Sequence, residues 1–175
     1  MKRLGVKLTG VIGLAVAASG IVWMGATLEV GGSYWNMFGG MIAMAIGLGW
    51  TFVPFTLIAT TNVHDDEAGL ASGIFNTSQQ IGGAIGLAVL TTIFVNTRDG
   101  ELSDIGVDPV PLQGFSQLKP EEIGVQLTAL VEGYQTAFYA GAALMALALV
   151  LHLLLIRRSD VASIDVTAPA TPHVG

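Results

Sequence analysis

Residues 68–97 read AGLASGIFNTSQQIGGAIGLAVLTTIFVNT, and none of them carries a charge at neutral pH. A helix needs about 20 mostly apolar residues to cross the hydrocarbon core of a bilayer. The stretch therefore predicts a transmembrane helix over residues 70–96. Its glycines and amide side chains do not argue against this, because glycine is more frequent in membrane helices than in soluble ones.

Three further stretches of the sequence are also free of Asp, Glu, Lys and Arg. They predict spans over residues 8–28, 37–61 and 134–156, the last holding His152 as its one titratable imidazole. Together the four runs predict an all-α integral membrane protein with four transmembrane helices in residues 1–158. A signal peptide is the alternative for the first run, because Lys2 and Arg3 precede it and small residues follow. The run continues through Trp23 to Leu28, which favours a retained span.

Composition supports this class and excludes others. The 175 residues are 52% hydrophobic and 11% charged, with a mean hydropathy of +0.67, whereas soluble domains carry about 25% charged residues. A net charge of −6 with seven Lys and Arg residues leaves no basic surface for nucleic acid. Cysteine is absent, and no nucleophile, phosphate-loop or zinc motif is present. We expect no enzymatic activity, metal or cofactor.

The basic residues predict the orientation. Five of the seven lie beside the first and last spans, and only Arg98 and Lys119 lie on the opposite side. The positive-inside rule then places both termini in the cytoplasm of a multi-pass inner or plasma membrane protein. The acidic stretch 97–132 becomes an external loop in which Pro120 begins a short helix. Residues 159–175, rich in Ala, Thr and Pro, become a disordered cytoplasmic tail.

A helical wheel of the third span separates two faces. One face collects apolar residues such as Ile74, Ile81 and Ile85. The other collects small and amide residues: Gly69, Ser72, Gly73, Asn76, Gln79, Gln80, Gly82, Gly83 and Gly86. Amide groups facing lipid would lack hydrogen-bond partners, so this face must contact protein or water. A tight helix–helix contact through Gly69, Gly73, Gly82, Gly83 and Gly86 is one interpretation. A cavity lined by Asn76, Gln79 or Gln80 is the other.

The second span carries Gly47, Gly49 and Pro54, and proline kinks a helix by removing a backbone donor. Such a kink is tolerated where a neighbouring helix or a water-filled cavity satisfies the backbone. The aromatic and hydroxyl residues around Pro54 are either packing residues or contacts for an amphipathic substrate; the candidates are Trp50, Thr51, Phe55 and Thr56. His152 lies near the cytoplasmic end of the last span, where we expect it to reach water.

The sequence FVPFTLIATT at residues 52–61, the acidic loop, and AGLASGIFNTSQQIGGAIGLAV at residues 68–89 resemble the late part of a known transporter family. The family comprises the fourteen-span drug:proton antiporters of the major facilitator superfamily, the EmrB/QacA type. The resemblance is best over residues 47–94. It implies that the four helices are the last four spans, that the second span lines a central cavity, and that the third lies between the two halves of the transporter.

The resemblance also implies what the chain lacks. The family's membrane carboxylates for proton coupling lie in the other half, and no Asp or Glu lies within any predicted span here. We therefore expect the C-terminal portion of a multidrug efflux permease, inactive alone. Its expected partners are the lipid bilayer, the remaining N-terminal helices and a small amphipathic drug-like substrate. The alternative is a self-contained four-span protein that oligomerises as a small transporter or assembly partner.

Overall fold

The computed structural model describes residues 5–60 and 67–155, without the side chains of residues 5–6, 53–54 and 57–60. Four α-helices follow one another: α1 (Gly5–Thr27), α2 (Tyr34–Thr60), α3 (Ala68–Asp104) and α4 (Pro120–Leu155). A 3₁₀ helix, Leu112–Gln117, lies between α3 and α4. The predicted tail, residues 159–175, lies outside the described residues. The all-helical fold class is confirmed over the described part of the chain.

Three of these helices are long and apolar enough to cross a membrane: α1 from Lys7, α3 and α4. The second predicted span, residues 37–61, corresponds to α2. This helix is not among the three. It is nevertheless a helix that continues through Gly47, Gly49 and Pro54. The four-span arrangement therefore stays a prediction, whereas each of the four runs is helical over nearly all of its described residues.

The helices do not pack equally. α1 lies between α2 and α4 and makes the most extensive contacts, whereas α3 packs on α4 and only lightly on α2. The buried apolar residues reflect this order, because Leu14, Ala17, Ile21 and Met24 all belong to α1. In α3, Leu102 near the C-terminal end is a buried residue, and the apolar stretch before it is open.

The segment predicted as an external loop, residues 97–132, is largely helical. α3 continues to Asp104, and α4 begins at Pro120 and runs without interruption into the last predicted span. The short helix expected at Pro120 is therefore the first part of α4. We call residues 98–132, the ends of α3 and α4 with their connection, the outer hairpin.

Local chemistry explains where the outer hairpin turns. Gly106 has a positive φ of 70° and follows the last turn of α3. Its amide donates to the Ser103 carbonyl, and the Val107 amide donates to the Leu102 carbonyl, which together form a Schellman motif. At the other end, the Lys119 amide donates to Glu122 Oε2 at 2.8 Å. This is the reciprocal half of a capping box and fixes the start of α4 at Pro120.

Candidate functional site

The predicted cavity residues of α2 do not share one environment. Trp50 is half exposed, whereas Thr51 is 5% exposed. The Thr51 hydroxyl donates to the Gly47 carbonyl at 2.8 Å and lies against Gly13 of α1. In this structure Thr51 is therefore a packing residue on the α1 side of α2. The side chain of Pro54 lies outside the described residues.

Phe55 and Thr56 lie one turn further along α2. The Phe55 ring contacts the imidazole of His152, with ring centroids 5.3 Å apart. The Thr56 hydroxyl donates to the Phe52 carbonyl at 2.9 Å, which satisfies it within the helix. Phe52 points elsewhere, and its ring makes an edge contact with Phe75 of α3. α2 therefore directs neighbouring side chains toward three different helices.

The face of α3 that carries glycines and amides is open along its length. A Cβ added at Gly69, Gly73, Gly82, Gly83 or Gly86 would meet no atom of the described chain within 4 Å. Asn76, Gln79 and Gln80 are exposed on the same face. The glycines predicted to pack against a helix thus have no partner within the described part of the chain. We call this set of residues the open face of α3.

The open face of α3 is chemically incomplete at membrane depth. Amide groups that face hydrocarbon leave donors and acceptors unsatisfied, each at a cost of several kcal/mol, on the order of 4–8 for transfer to an alkane. Glycines on one face allow another backbone to approach closely, and amides can then hydrogen-bond across the contact. The arrangement suits either a partner helix or a water-filled cavity.

The structure contains a close glycine contact that the sequence analysis did not single out. α1 and α2 cross with Gly13 next to Gly47 and Gly20 next to Gly40. A Cβ at Gly20 would lie 2.6 Å from the Gly40 carbonyl oxygen, and one at Gly47 would lie 2.6 Å from the Gly13 carbonyl oxygen. Backbones at this separation leave no room for a side chain, so α1 and α2 can pack this way only with glycine at these positions.

The sequence does carry a signal for this contact. Gly13 and Gly20 are seven residues apart, and so are Gly40 and Gly47 on the next helix. Seven residues are two helical turns, so each pair lies on one face. A connection of only six residues, 28–33, makes the two helices antiparallel neighbours. Matched glycine spacing on adjacent helices is therefore the pattern that predicts the contact.

His152 is also placed differently from the expectation. It does not reach water at the end of α4 but is 4% exposed, packed between α1 and α2. Its Nε2 atom lies 3.1 Å from the Lys7 carbonyl oxygen. Gly10 makes room for the ring, because a Cβ there would lie 2.9 Å from Cε1. Within the described residues, no group of three His, Asp or Glu side chains is arranged to hold a metal ion.

Comparison with known proteins identifies the first half of the chain. Residues 1–87 match the family model of the Major Facilitator Superfamily. This part of the chain is therefore similar in sequence to the transporters of that superfamily. The superfamily consists of transporters rather than enzymes, and the apolar helices agree with a multi-pass membrane protein.

The matching relatives are named for antibiotic resistance or export. The puromycin resistance protein pur8 of Streptomyces alboniger is 29% identical over 132 residues, which are 75% of this chain and 24% of that protein. The cephamycin export protein CmcT of Amycolatopsis lactamdurans is 32% identical over 93 residues, 53% of this chain and 19% of the relative. A probable actinorhodin transporter of Streptomyces coelicolor is 36% identical over 85 residues, 47% of this chain and 15% of the relative.

The aligned part of this chain thus spans about a quarter or less of each of these relatives. No solved structure matches the chain.

Proposed function

We propose that this chain is the C-terminal portion of a drug:proton antiporter of the EmrB/QacA type. In the complete permease, its four helices are the last four spans, and the protein exports small amphipathic organic compounds across the inner or plasma membrane. The similarity to superfamily members named for antibiotic resistance and export supports the substrate class. The chain alone is inactive, because no predicted span carries a carboxylate for proton coupling.

The open face of α3 is the observation that carries this proposal. Its amides and glycines are built for a contact that the described chain does not supply. The remaining N-terminal helices of the permease are the proposed partner, with α3 lying between the two halves. Asn76, Gln79 and Gln80 then line the substrate path together with Trp50, Phe55 and Thr56, and transport proceeds by rocking of the halves around a site near the midplane.

Transport by the isolated chain is the direct test. The chain is reconstituted into proteoliposomes with an imposed pH gradient and a fluorescent cationic dye, after circular dichroism and size-exclusion profiles show that it is folded. We expect no gradient-driven dye movement. Dye movement that survives His152→Ala would contradict the proposal, because the chain would then transport without the other half. Loss of movement in that variant would instead assign proton coupling to His152.

The nucleotide sequence upstream of the Met1 codon separates this proposal from a self-contained oligomer. We expect an open frame that encodes further spans. A stop codon there, together with a defined oligomer of the purified chain in detergent, would favour the alternative, in which a second copy covers the open face of α3.

We propose that both termini are cytoplasmic, on the distribution of Lys and Arg residues. The absence of cysteine makes accessibility labelling clean. A cysteine at Ser116 in the outer hairpin is expected to react with an impermeant reagent from outside, and one at Ser159 is not. The opposite pattern would invert the orientation.

A further inference from the structure

His152 has an incomplete hydrogen-bond arrangement in a buried position. Its Nε2 atom pairs with the Lys7 carbonyl oxygen at 3.1 Å. A carbonyl oxygen can only accept, so Nε2 must carry the hydrogen. Nδ1 is then a bare acceptor, and it is buried without a hydrogen-bond partner among the residues that the structure describes. A buried polar atom of this kind calls for an explanation, because unsatisfied groups are rare and costly.

The imidazole lies where three helices meet. Gly10 of α1 lies against one edge of the ring, and Phe55 of α2 lies against its face. The Lys7 ammonium group donates to the Leu153 carbonyl at 2.9 Å. The contacts are therefore reciprocal. The Lys7 side chain bonds the backbone of α4, and the His152 side chain bonds the backbone of α1. These contacts join the first turns of α1 to the last turn of α4.

Among the described residues, His152 forms no ion pair. Lys7 is the charged group that α1 presents, and α2 presents Phe55 within its described side chains. The α4 sequence carries no carboxylate between Glu132 and its end at Leu155. The charged and titratable residues His64, Asp65 and Asp66 after α2, and Arg157, Arg158 and Asp160 after α4, lie outside the described residues. Within the described part of the chain, no carboxylate faces His152.

We propose that His152 is a proton-binding site that switches the contact between α1 and α4. Neutral His152 keeps the contact closed through Nε2–H. A proton from water that binds the Nδ1 lone pair leaves the Nε2–H bond intact and converts the ring to an imidazolium. That cation is buried, and its new N–H has no acceptor within the described residues, so burial becomes unfavourable. The ring then moves toward water, and the ends of α1 and α4 separate.

This switch does not depend on transport. It concerns the packing of this chain alone, and it holds or fails whether or not the chain belongs to a drug exporter. A histidine suits the role, because its ordinary protonation range lies within the pH values that cells encounter.

The test measures the separation of the helix ends and the state of the ring in the same sample. The chain has no cysteine, so Leu8→Cys on α1 and Leu154→Cys on α4 accept spin labels at exposed positions. Distances between the labels are measured in nanodiscs at about pH 8 and about pH 5, which bracket ordinary histidine titration. Nitrogen NMR of ¹⁵N-histidine reports which ring nitrogen is protonated. We expect an Nε2–H ring and a short distance at high pH, and proton uptake at Nδ1 with a longer, broader distance distribution at low pH.

Three variants make the test decisive. His152→Gln keeps an N–H donor for the Lys7 carbonyl but cannot take a proton, so its distance should stay short at both pH values. His64→Gln and His173→Gln remove the other two histidines and should leave the response unchanged. A distance that does not change in the parent, or that changes equally in His152→Gln, overturns the proposal. If His152→Gln fails to fold, the parent chain alone tests the proposal. An Nδ1–H tautomer of His152 at high pH, or an imidazole that stays neutral at low pH, also overturns the proposal.

Discussion

Two sets of glycines in this chain have different surroundings. Between α1 and α2, Gly13, Gly20, Gly40 and Gly47 bring two backbones so close that an added Cβ would overlap main-chain atoms. On the open face of α3, five glycines have empty space beside them. The first set closes a contact within the chain, whereas the second set has no partner among the described residues.

The chemistry of the neighbouring residues explains the difference. The α1–α2 contact is flanked by apolar residues and by Thr51, whose hydroxyl is satisfied by its own helix. It therefore needs nothing from outside. The face of α3 mixes glycine with Asn76, Gln79 and Gln80, which are exposed. Amides in a membrane require a hydrogen-bond partner, so glycine together with exposed amides suits either a partner helix or a water-filled cavity.

Substitution of Gly47 should have the largest effect. Gly47→Leu places a side chain where its Cβ would lie 2.8 Å from Ala17 Cα and 2.6 Å from the Gly13 carbonyl oxygen. Overpacking of a close contact costs about 1–3 kcal/mol, and main-chain atoms cannot yield as side chains do, so we expect a loss at the upper end of that range or above. The yield of monodisperse protein in detergent measures it.

Gly49→Leu is the matched control, because Gly49 lies on the same helix with open space around it. It should be tolerated. Equal losses for the two variants would mean that the close approach of α1 and α2 is not what the glycines provide.

Substitution of Gly83 should separate folding from assembly. In the isolated chain, Gly83→Leu adds a side chain to open space and should leave the folded yield unchanged. In the complete permease it should disrupt assembly, because a side chain there forces the partner helix away. Ile81→Leu, a conservative change of an exposed residue beside it, should disrupt neither. A fall in folded yield of the isolated Gly83→Leu chain would show that the face is used within the chain.

The sequence predicted the helices well because lack of charge dictates where a chain can enter a membrane. For the same reason it predicted the end of α3 and the start of α4 poorly, whereas the ends of α1 and α2 lie within three residues of the predicted ones. Arg98, Asp99 and Glu101 end the apolar run but are compatible with a helix, so α3 continues through them to Asp104. The true end is determined by Gly106, which adopts the left-handed conformation that closes a Schellman motif.

The candidate site was only partly predictable. The wheel of α3 identified a face that is chemically unlike the other, and this follows from the sequence alone. Whether Gly47 or Gly83 has a neighbour depends on tertiary packing, which a single helix cannot reveal. The burial of His152 against Lys7 and Gly10 likewise depends on α1 and α4 meeting across most of the chain length.

A buried amide inside the chain sharpens the contrast with the exposed amides of α3. Gln126 is 2% exposed; its Nε2 donates to the Asp108 carbonyl at 2.8 Å, and its Oε1 accepts from the Val110 amide at 3.3 Å. Gln126→Leu leaves both backbone groups without these partners, at a cost of about 1–3 kcal/mol. Hydrogen exchange should accelerate at Val110. Gln113→Leu, an exposed glutamine in the same connection, is the control and should change little. Unchanged exchange at Val110 in Gln126→Leu would show that the amide does not hold the connection.

Carboxylates in the outer hairpin should give the smallest effect, since Glu101 is exposed and Glu132 is only partly buried. Glu132 and Glu101 line a groove of about 470 Å³ between the ends of α3 and α4. Partial burial, together with the nearby Glu101 carboxylate, raises the pKa of Glu132 above its ordinary value. The folded hairpin therefore holds more protons than the unfolded one as pH rises from the ordinary value to the raised one. Its stability should fall across that window, because the unfolded state there binds fewer protons.

Glu132→Gln removes the charge and should make the outer hairpin more stable near neutral pH, with less dependence on pH below it. Hydrogen exchange of residues 98–132 at about pH 4 and about pH 7, corrected for the intrinsic pH dependence of exchange, measures the effect. Glu121→Gln removes an equal charge from the same groove and should leave most of the pH dependence in place. If Glu121→Gln flattens the pH dependence as much as Glu132→Gln does, the effect belongs to the overall negative charge of the hairpin. The close approach of Glu101 and Glu132 would then contribute nothing of its own.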